Sequence, residues 1–248
     1  VAELQSRPRV RRRVRVTNPC TCTLAGDVST SEPWVWGPVG QITVGPGESA
    51  EFDIEFIARR ARFPGISRVV FVAKDWTGDY HMVVDANLGA LKTDYYIKRS
   101  LAYTVDFTGE HPKANVSYTY DHTATHGDWR TSDYHTYTRI LAPQGSQYIE
   151  PSRRHTGGVL SQDSDDLKKT VFGYKVDALI GQTLETGIEY TLPDTITVDG
   201  YRLLIQKQSG TGTIPVTVTI KTKNGEYTQS FELKKDLNLS IQEAEAKQ

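Results

Sequence analysis

The stretch "TIPVTVTIKTKNGEYTQSFEL", residues 213–233, alternates Ile214, Val216, Val218 and Ile220 with polar residues, breaks at Asn224-Gly225, and then resumes. Successive side chains of an extended chain point to opposite faces, so a period of two fits a strand with one buried face and fits a helix badly. Asn-Gly is the pair that a type I′ turn demands, which predicts a hairpin with Asn224 and Gly225 at its tip. The same grammar recurs along the chain. "QITVGPGESAEFDIEF" places Ile42 and Val44 on one face, turns at Gly45-Pro46-Gly47, and then alternates Ala50, Phe52, Ile54 and Phe56 with charged residues. "SRVVFVA", "NVSYTY", "TGIEYTLP" and "GYRLLIQKQ" supply further strands. Tyr134, Thr136, Thr138 and Ile140 share one parity, and His135, Tyr137 and Arg139 the other. Neither set is cleanly apolar, so that strand rests on its β-branched and aromatic content. Helical periodicity is confined to Asn87 to Lys98 and to the tail "SIQEAEAKQ". Short strands punctuated by Gly, Pro and Asn predict an all-β chain of two β-sandwich, immunoglobulin-like modules.

A compositional seam divides the two. All 13 tyrosines lie at Tyr80 or later, every lysine lies at Lys74 or later, and the earlier residues use only arginine as base. Physics does not require such a switch at one point, so it points to modules of different ancestry joined at residues 73–79. The expected domains are 1–75, a sandwich with a basic N-terminal arm, and 76–248, a larger sandwich with a short C-terminal tail. At 248 residues the chain can bury a core in each. A charged fraction of 24% with 10% aromatics excludes a disordered composition. The net charge of −1 gives no global pull towards nucleic acid, and no apolar run reaches the length of a membrane span. Val1, with neither an initiator Met nor a signal segment, is expected to begin a processed or truncated product. The basic run Arg7 to Val16 is expected to be an edge strand, Arg outward and Val10, Val14 and Val16 inward, in preference to a polyanion-binding arm.

Two groups of residues carry possible chemistry. Cys20 and Cys22 form a C-x-C pair whose disulfide would be strained, and no histidine precedes His81 to complete a metal site. They are expected to be small half-buried residues, with a metal shared between chains as the alternative. The stretch "YDHTATHGDWRTSDYHTYTR", Tyr120 to Arg139, is the denser one. His122 and His126, with Asp128 or His135, have the donors zinc favours, but Gly127 and the flanking strand signals give the two histidines no common direction. Asp128 and Asp133 are carboxylates without a shown cleft, and no G-x-S-x-G elbow occurs. No metal, cofactor or catalytic residue is therefore expected. Instead Asp128 and Arg130 should bond the turn's backbone, Trp129 should cover an open end of the sandwich, and Tyr134 and Tyr137 should point to opposite faces. Lys92 and Asp94 are expected to form an ion pair. The alternative is a carbohydrate-binding module, with Trp129, Tyr118 and either Tyr134 or Tyr137 stacking on sugar and His122, Asp128 and Arg130 bonding hydroxyls.

Two resemblances bear on function. "VRVTNPCTCTL" followed by "ITVGPGESAEFDIEF" resembles immunoglobulin-like bacterial domains of unknown function that carry C-x-C-T after the first long strand and a later P-G-E turn. These are relatives of the sandwich of ciliary and spindle-associated proteins, which implies a structural or docking role. Val84 to Asp94 (VDANLGALKTD), Gly127 to Arg139 (GDWRTSDYHTYTR), Pro143 to Ser146 and Tyr201 to Gln208 (YRLLIQKQ) resemble the C-terminal part of a bacterial membrane-anchored surface-protein family of unknown function. That likeness covers residues 77–240, without the family's anchor or its N-A-E-L-R-P region. It implies an extracellular, cell-surface location. The expected function is a non-enzymatic structural or assembly module, in a filament or surface layer, whose partner is a second copy or an envelope protein, with a glycan as the alternative.

Overall fold

The computed structural model describes residues 9–19, 21–28, 35–36, 40–57, 69–73, 75–89, 91–149 and 156–241. Cys20, the start of the basic arm and the tail after Ile241 lie outside these, as do the side chains of Val10, Ile54 and Phe56. The chain divides into two compact units, Val1–Trp76 and Thr77–Gln248. Its described elements are strands, apart from one short 3-10 turn and a last helical residue.

Among the described residues, the first unit holds two three-stranded antiparallel sheets. One has the order β1 (Arg9–Thr17), β5 (Ser49–Ile57), β3 (Val35–Trp36), and the other β4 (Gly40–Val44), β2 (Leu24–Val28), β6 (Val69–Ala73). Among the described residues β1 is an edge strand, as its pattern predicts. Arg13 and Arg15 are exposed and face Asp53 and Glu51 across the ladder, with Arg13 Nε donating to Asp53 Oδ1 at 3.2 Å and Arg15 Nε to Glu51 Oε1 at 2.6 Å. The charges of Arg13 and Arg15 are thus matched on the next strand. The Gly45-Pro46-Gly47 turn carries the chain from one sheet to the other. Buried Asn18 fixes this corner: its Nδ2 donates to the carbonyls of Cys22, Val44 and Gly45, while its own carbonyl accepts from Gly47 N–H at 2.9 Å. Gly47 sits at φ 72°, where a glycine costs least.

The second unit is built from two six-stranded sheets. The first runs β12 (Thr156–Ser164), β13 (Lys169–Ala178), β10 (Tyr134–Pro143), β7 (Asp79–Asn87), β15 (Arg202–Gln206), β18 (Leu237–Ser240). The second runs β11 (Gln147–Ile149), β14 (Thr183–Thr191), β9 (Lys113–His122), β8 (Ile97–Asp106), β16 (Ile214–Thr222), β17 (Gly225–Leu233). Pairing is antiparallel except where β15 joins β7 and β16 joins β8, so each sheet has its parallel pair at the same place in its order. One apolar core lies between them. Phe172 and Tyr174 from the first sheet meet Tyr190, Val116 and Tyr103 from the second, and the Phe172 and Tyr190 rings lie 5.2 Å apart.

Two expectations shift. The β16–β17 hairpin forms, but Thr222 pairs with Gly225, so Lys223-Asn224 is the tip and neither residue has positive φ. The turn is therefore not type I′, and the Thr222 hydroxyl bridges it instead, accepting from Asn224 N–H at 3.2 Å and donating to Gly225 O at 3.1 Å. The helical pattern at Asn87 to Lys98 yields only a single 3-10 turn, Thr93–Tyr96.

Candidate functional site

The predicted residues lie at one end of the second unit, where three connections meet: 88–96 between β7 and β8, 123–133 between β9 and β10, and 179–182 between β13 and β14. Backbone bonds stitch them together. Thr123 N–H donates to Tyr96 O at 2.9 Å, Lys92 N–H to Arg130 O at 2.8 Å, and His122 N–H to Gln182 O at 3.0 Å. Asp133 Oδ1 accepts from Ile180 N–H at 3.0 Å, tying the second connection to the third.

Within 123–133, Asp128 organises a tight turn. Its Oδ1 accepts from the N–H groups of Arg130 and Thr131 at 2.8 and 3.0 Å, and its own N–H donates to Thr131 O at 2.8 Å. Its Oδ2 takes the Arg130 guanidinium at 3.2 and 3.1 Å. These bonds, led by the Arg130 N–H, hold the Asp128 carboxyl below its usual range, and the Asp128 bond raises Arg130. Asp128 thus has its predicted backbone role, whereas the Arg130 guanidinium pairs with the Asp128 side chain instead. Trp129 differs from expectation: its side chain is 78% exposed and covers nothing of the sandwich's interior, with the Arg130 guanidinium 5.5 Å from its ring centre. The residue sits at the apex of a turn whose flanking side chains already satisfy the backbone, so its indole is carried outward.

The histidines diverge. His122 is buried, Nε2 donating to Ser132 O at 2.9 Å and Nδ1 facing Ala124 N–H at 3.4 Å. His126 is exposed beside Thr125, and His135 lies on the outer face of β10 against Asp177 at 2.6 Å. Among the described residues no three His, Cys, Asp or Glu side chains come together as a metal site would require.

The tyrosines separate as their parity requires. Tyr134, Thr136, Thr138 and Ile140 are buried, while Tyr137 is half-buried on the other face, where it lies against Gly173 and under the Arg139 guanidinium. Tyr118 and Tyr134 both sit in the core, so neither can join Trp129 in a sugar platform, and His122 is likewise turned inward. The exposed partners lie instead in the first connection. Tyr95 is 86% exposed, and its ring stands edge-on to Tyr96 at 5.4 Å. Leu88, Tyr95, Trp129 and Leu179 all belong to these three connections, and Leu160 is the only other exposed large apolar side chain among the described residues.

Beneath this end lies a buried polar cluster that the sequence pattern did not reveal. Arg99 on β8 donates from Nε to Asp85 Oδ2 at 2.9 Å, and from Nη2 to Asp94 Oδ1 at 3.0 Å and to the Tyr134 hydroxyl at 2.9 Å. The rings of Tyr120 and Tyr134 flank the guanidinium at 5.7 and 5.5 Å. Asp85 Oδ1 also accepts from the Tyr120 and Thr138 hydroxyls at 2.9 and 2.8 Å. Burial is the largest single influence and works against the Arg99 charge, but Asp85, Tyr134 and Tyr120 together outweigh it and the group is raised. Asp94 is held by Arg99, Tyr134 and Asn87 rather than by Lys92. β7 and β10 of one sheet are thereby bolted to β8 and β9 of the other.

A second cluster lies further along β7. Asp79 accepts from the hydroxyls of Tyr103 and Tyr201 and from Tyr80 N–H, yet burial still pushes its pKa up to about 6. His81, between the Tyr103 and Tyr118 rings at 5.2 and 5.9 Å, is pushed down to about 3 by burial. The available signal for both clusters was a charged or imidazole group inside an otherwise apolar strand run, "DYHMVVDAN", since such a group must find partners in the interior.

No helix of the described residues is long and apolar enough to cross a membrane. No family model, no curated protein and no solved structure matches the chain.

Proposed function

We propose that this chain is a non-enzymatic β module of a bacterial cell-surface protein, which docks through the loop-bearing end of its second unit. The observation that carries this reading is the gathering of Leu88, Tyr95, Trp129 and Leu179 at that end, on connections pinned to one another by backbone bonds. An apolar group held in water by a stiff loop gains free energy when a partner covers it, and the stiffness keeps the ordering cost low. The groups nearby that could support catalysis have other work. His122 holds Ser132 O, Asp128 organises its own turn, and Asp133 anchors Ile180. The extracellular element of the reading rests on the likeness of the Val84–Asp94 and Gly127–Arg139 blocks to the surface-protein family.

The test is retention of the purified chain on isolated bacterial cell envelopes, comparing wild type with a Tyr95→Ala/Trp129→Ala double variant. Wild type should be retained and the double variant washed away. Equal retention of the two, or none by either, would remove this end as the docking face. Self-association through the same end is the second reading, and the exposure of Trp129 favours it equally. It would appear as a mass that rises with concentration in wild type and not in the double variant.

A further inference from the structure

We propose that the loop end takes a carbohydrate, a sugar ring stacking its C–H face on Trp129 with Tyr95 as a second aromatic contact. This rests on the reading of that end as a docking face and names what docks there.

Three observations favour this ligand over a protein surface or a polyanion. First, Trp129 is displayed but held. Arg130 lies 5.5 Å from the ring, and Asp128 fixes that guanidinium through two bonds while its other oxygen closes the turn. An aromatic plane fixed before binding loses little freedom on stacking, which matters for a ligand that offers only a small contact. Second, the two most exposed apolar side chains here are aromatic, Tyr95 at 86% and Trp129 at 78%, and exposed charged or imidazole groups stand among them in Lys92, His126 and Arg130. A protein-binding core is depleted of charge, whereas a sugar presents apolar C–H faces bordered by hydroxyls, which need both kinds of contact. Third, the exposed Arg130 guanidinium at this end is matched within its own turn by Asp128. A nucleic acid or other polyanion would call for an unmatched basic surface.

The site differs from the platform that parity and composition suggest, because Tyr118 and Tyr134 are interior and Tyr95 takes their place. It needs no movement of the core, so the variants that test it should fold.

The experiment is saturation-transfer NMR on the full chain with chitotetraose, cellotetraose and a β-1,3-linked glucotetraose as probes. Wild type should pass saturation to ring protons of at least one of them. Trp129→Ala should weaken that binding on the order of tenfold or more, Tyr95→Ala less, and Trp129→Phe should keep part of it. No transfer to any probe, or transfer unchanged in Trp129→Ala, would overturn the proposal. Protease treatment of the envelopes used in the retention assay separates the two ideas. Retention that survives digestion supports a glycan, and retention that is lost leaves the docking face standing but overturns the sugar.

Discussion

Asp79 and His81 lie two residues apart on β7, and both touch Tyr103, the first through its hydroxyl at 2.7 Å and the second through its ring. Burial moves their protonation in opposite directions, Asp79 up to about 6 and His81 down to about 3. Asp79 binds its proton more tightly when folded, so its contribution is fully present below the ordinary carboxylate value and is lost as pH rises through about 6. His81 holds its proton less tightly when folded, so its contribution is present above the ordinary imidazole value and is lost as pH falls towards about 3. Between roughly pH 4 and 6 the two slopes, each about 1.4 kcal/mol per pH unit, cancel. Asp79→Asn should expose the histidine slope. Its stability in urea, relative to wild type, should rise by about 2 kcal/mol from pH 4.5 to 6.0, whereas His81→Gln should fall by a similar amount. Parallel curves for both variants and wild type would show that the pair does not carry linked protons.

The elements depend on a few positions where side-chain size is fixed by a neighbouring strand. Gly187 on β14 faces β9 so closely that an added methyl would overlap the Val116 carbonyl oxygen and stand 2.9 Å from its carbon. Both are backbone atoms that can yield only by opening the ladder, so Gly187→Ala should cost on the order of 3 kcal/mol, read by chemical denaturation. Gly173→Ala meets only the outer end of the Tyr137 ring, which can swing into solvent, and should cost about 1 kcal/mol or less. Equal costs would mean that β9 and β14 do not lie in this register. Much at this scale was legible beforehand. The alternation of "NVSYTY" placed Val116, Tyr118 and Tyr120 on one face, and all three are buried together. The face of β10 was not legible, because Thr136 and Thr138 look like solvent-facing residues. Thr138 turns inward because Asp85 awaits its hydroxyl there, and a pattern of apolar residues cannot register a polar partner contributed by another strand. The hairpin tip moved by one residue for a similar reason, since Thr222 supplies a bridge that turn propensity alone does not count.

Across the whole molecule, the segment from Tyr120 to Arg139 separates into two groups by the direction each residue faces. Its inward residues, Tyr120, His122, Tyr134 and Thr138, are tied to Arg99, Asp85 or neighbouring carbonyls and join the sheets of the second unit. Its turn carries Trp129 into solvent beside the exposed residues of two other connections. The separation at strand level was visible in the parity of Tyr134 and Tyr137. The outward turn of Trp129 was not, because a tryptophan in a polar turn satisfies the same sequence pattern whether it caps a core or awaits a partner. Denaturation followed in the tyrosine region of the near-ultraviolet spectrum distinguishes the two states directly, since all 13 tyrosines lie in the second unit. Arg99→Met, which leaves Asp85 buried without its cation, should lose about 3–5 kcal/mol, while Trp129→Ala should stay within about 0.5 kcal/mol of wild type. A loss in Trp129→Ala as large as that in Arg99→Met would make Trp129 part of the fold and contradict its role as a displayed contact.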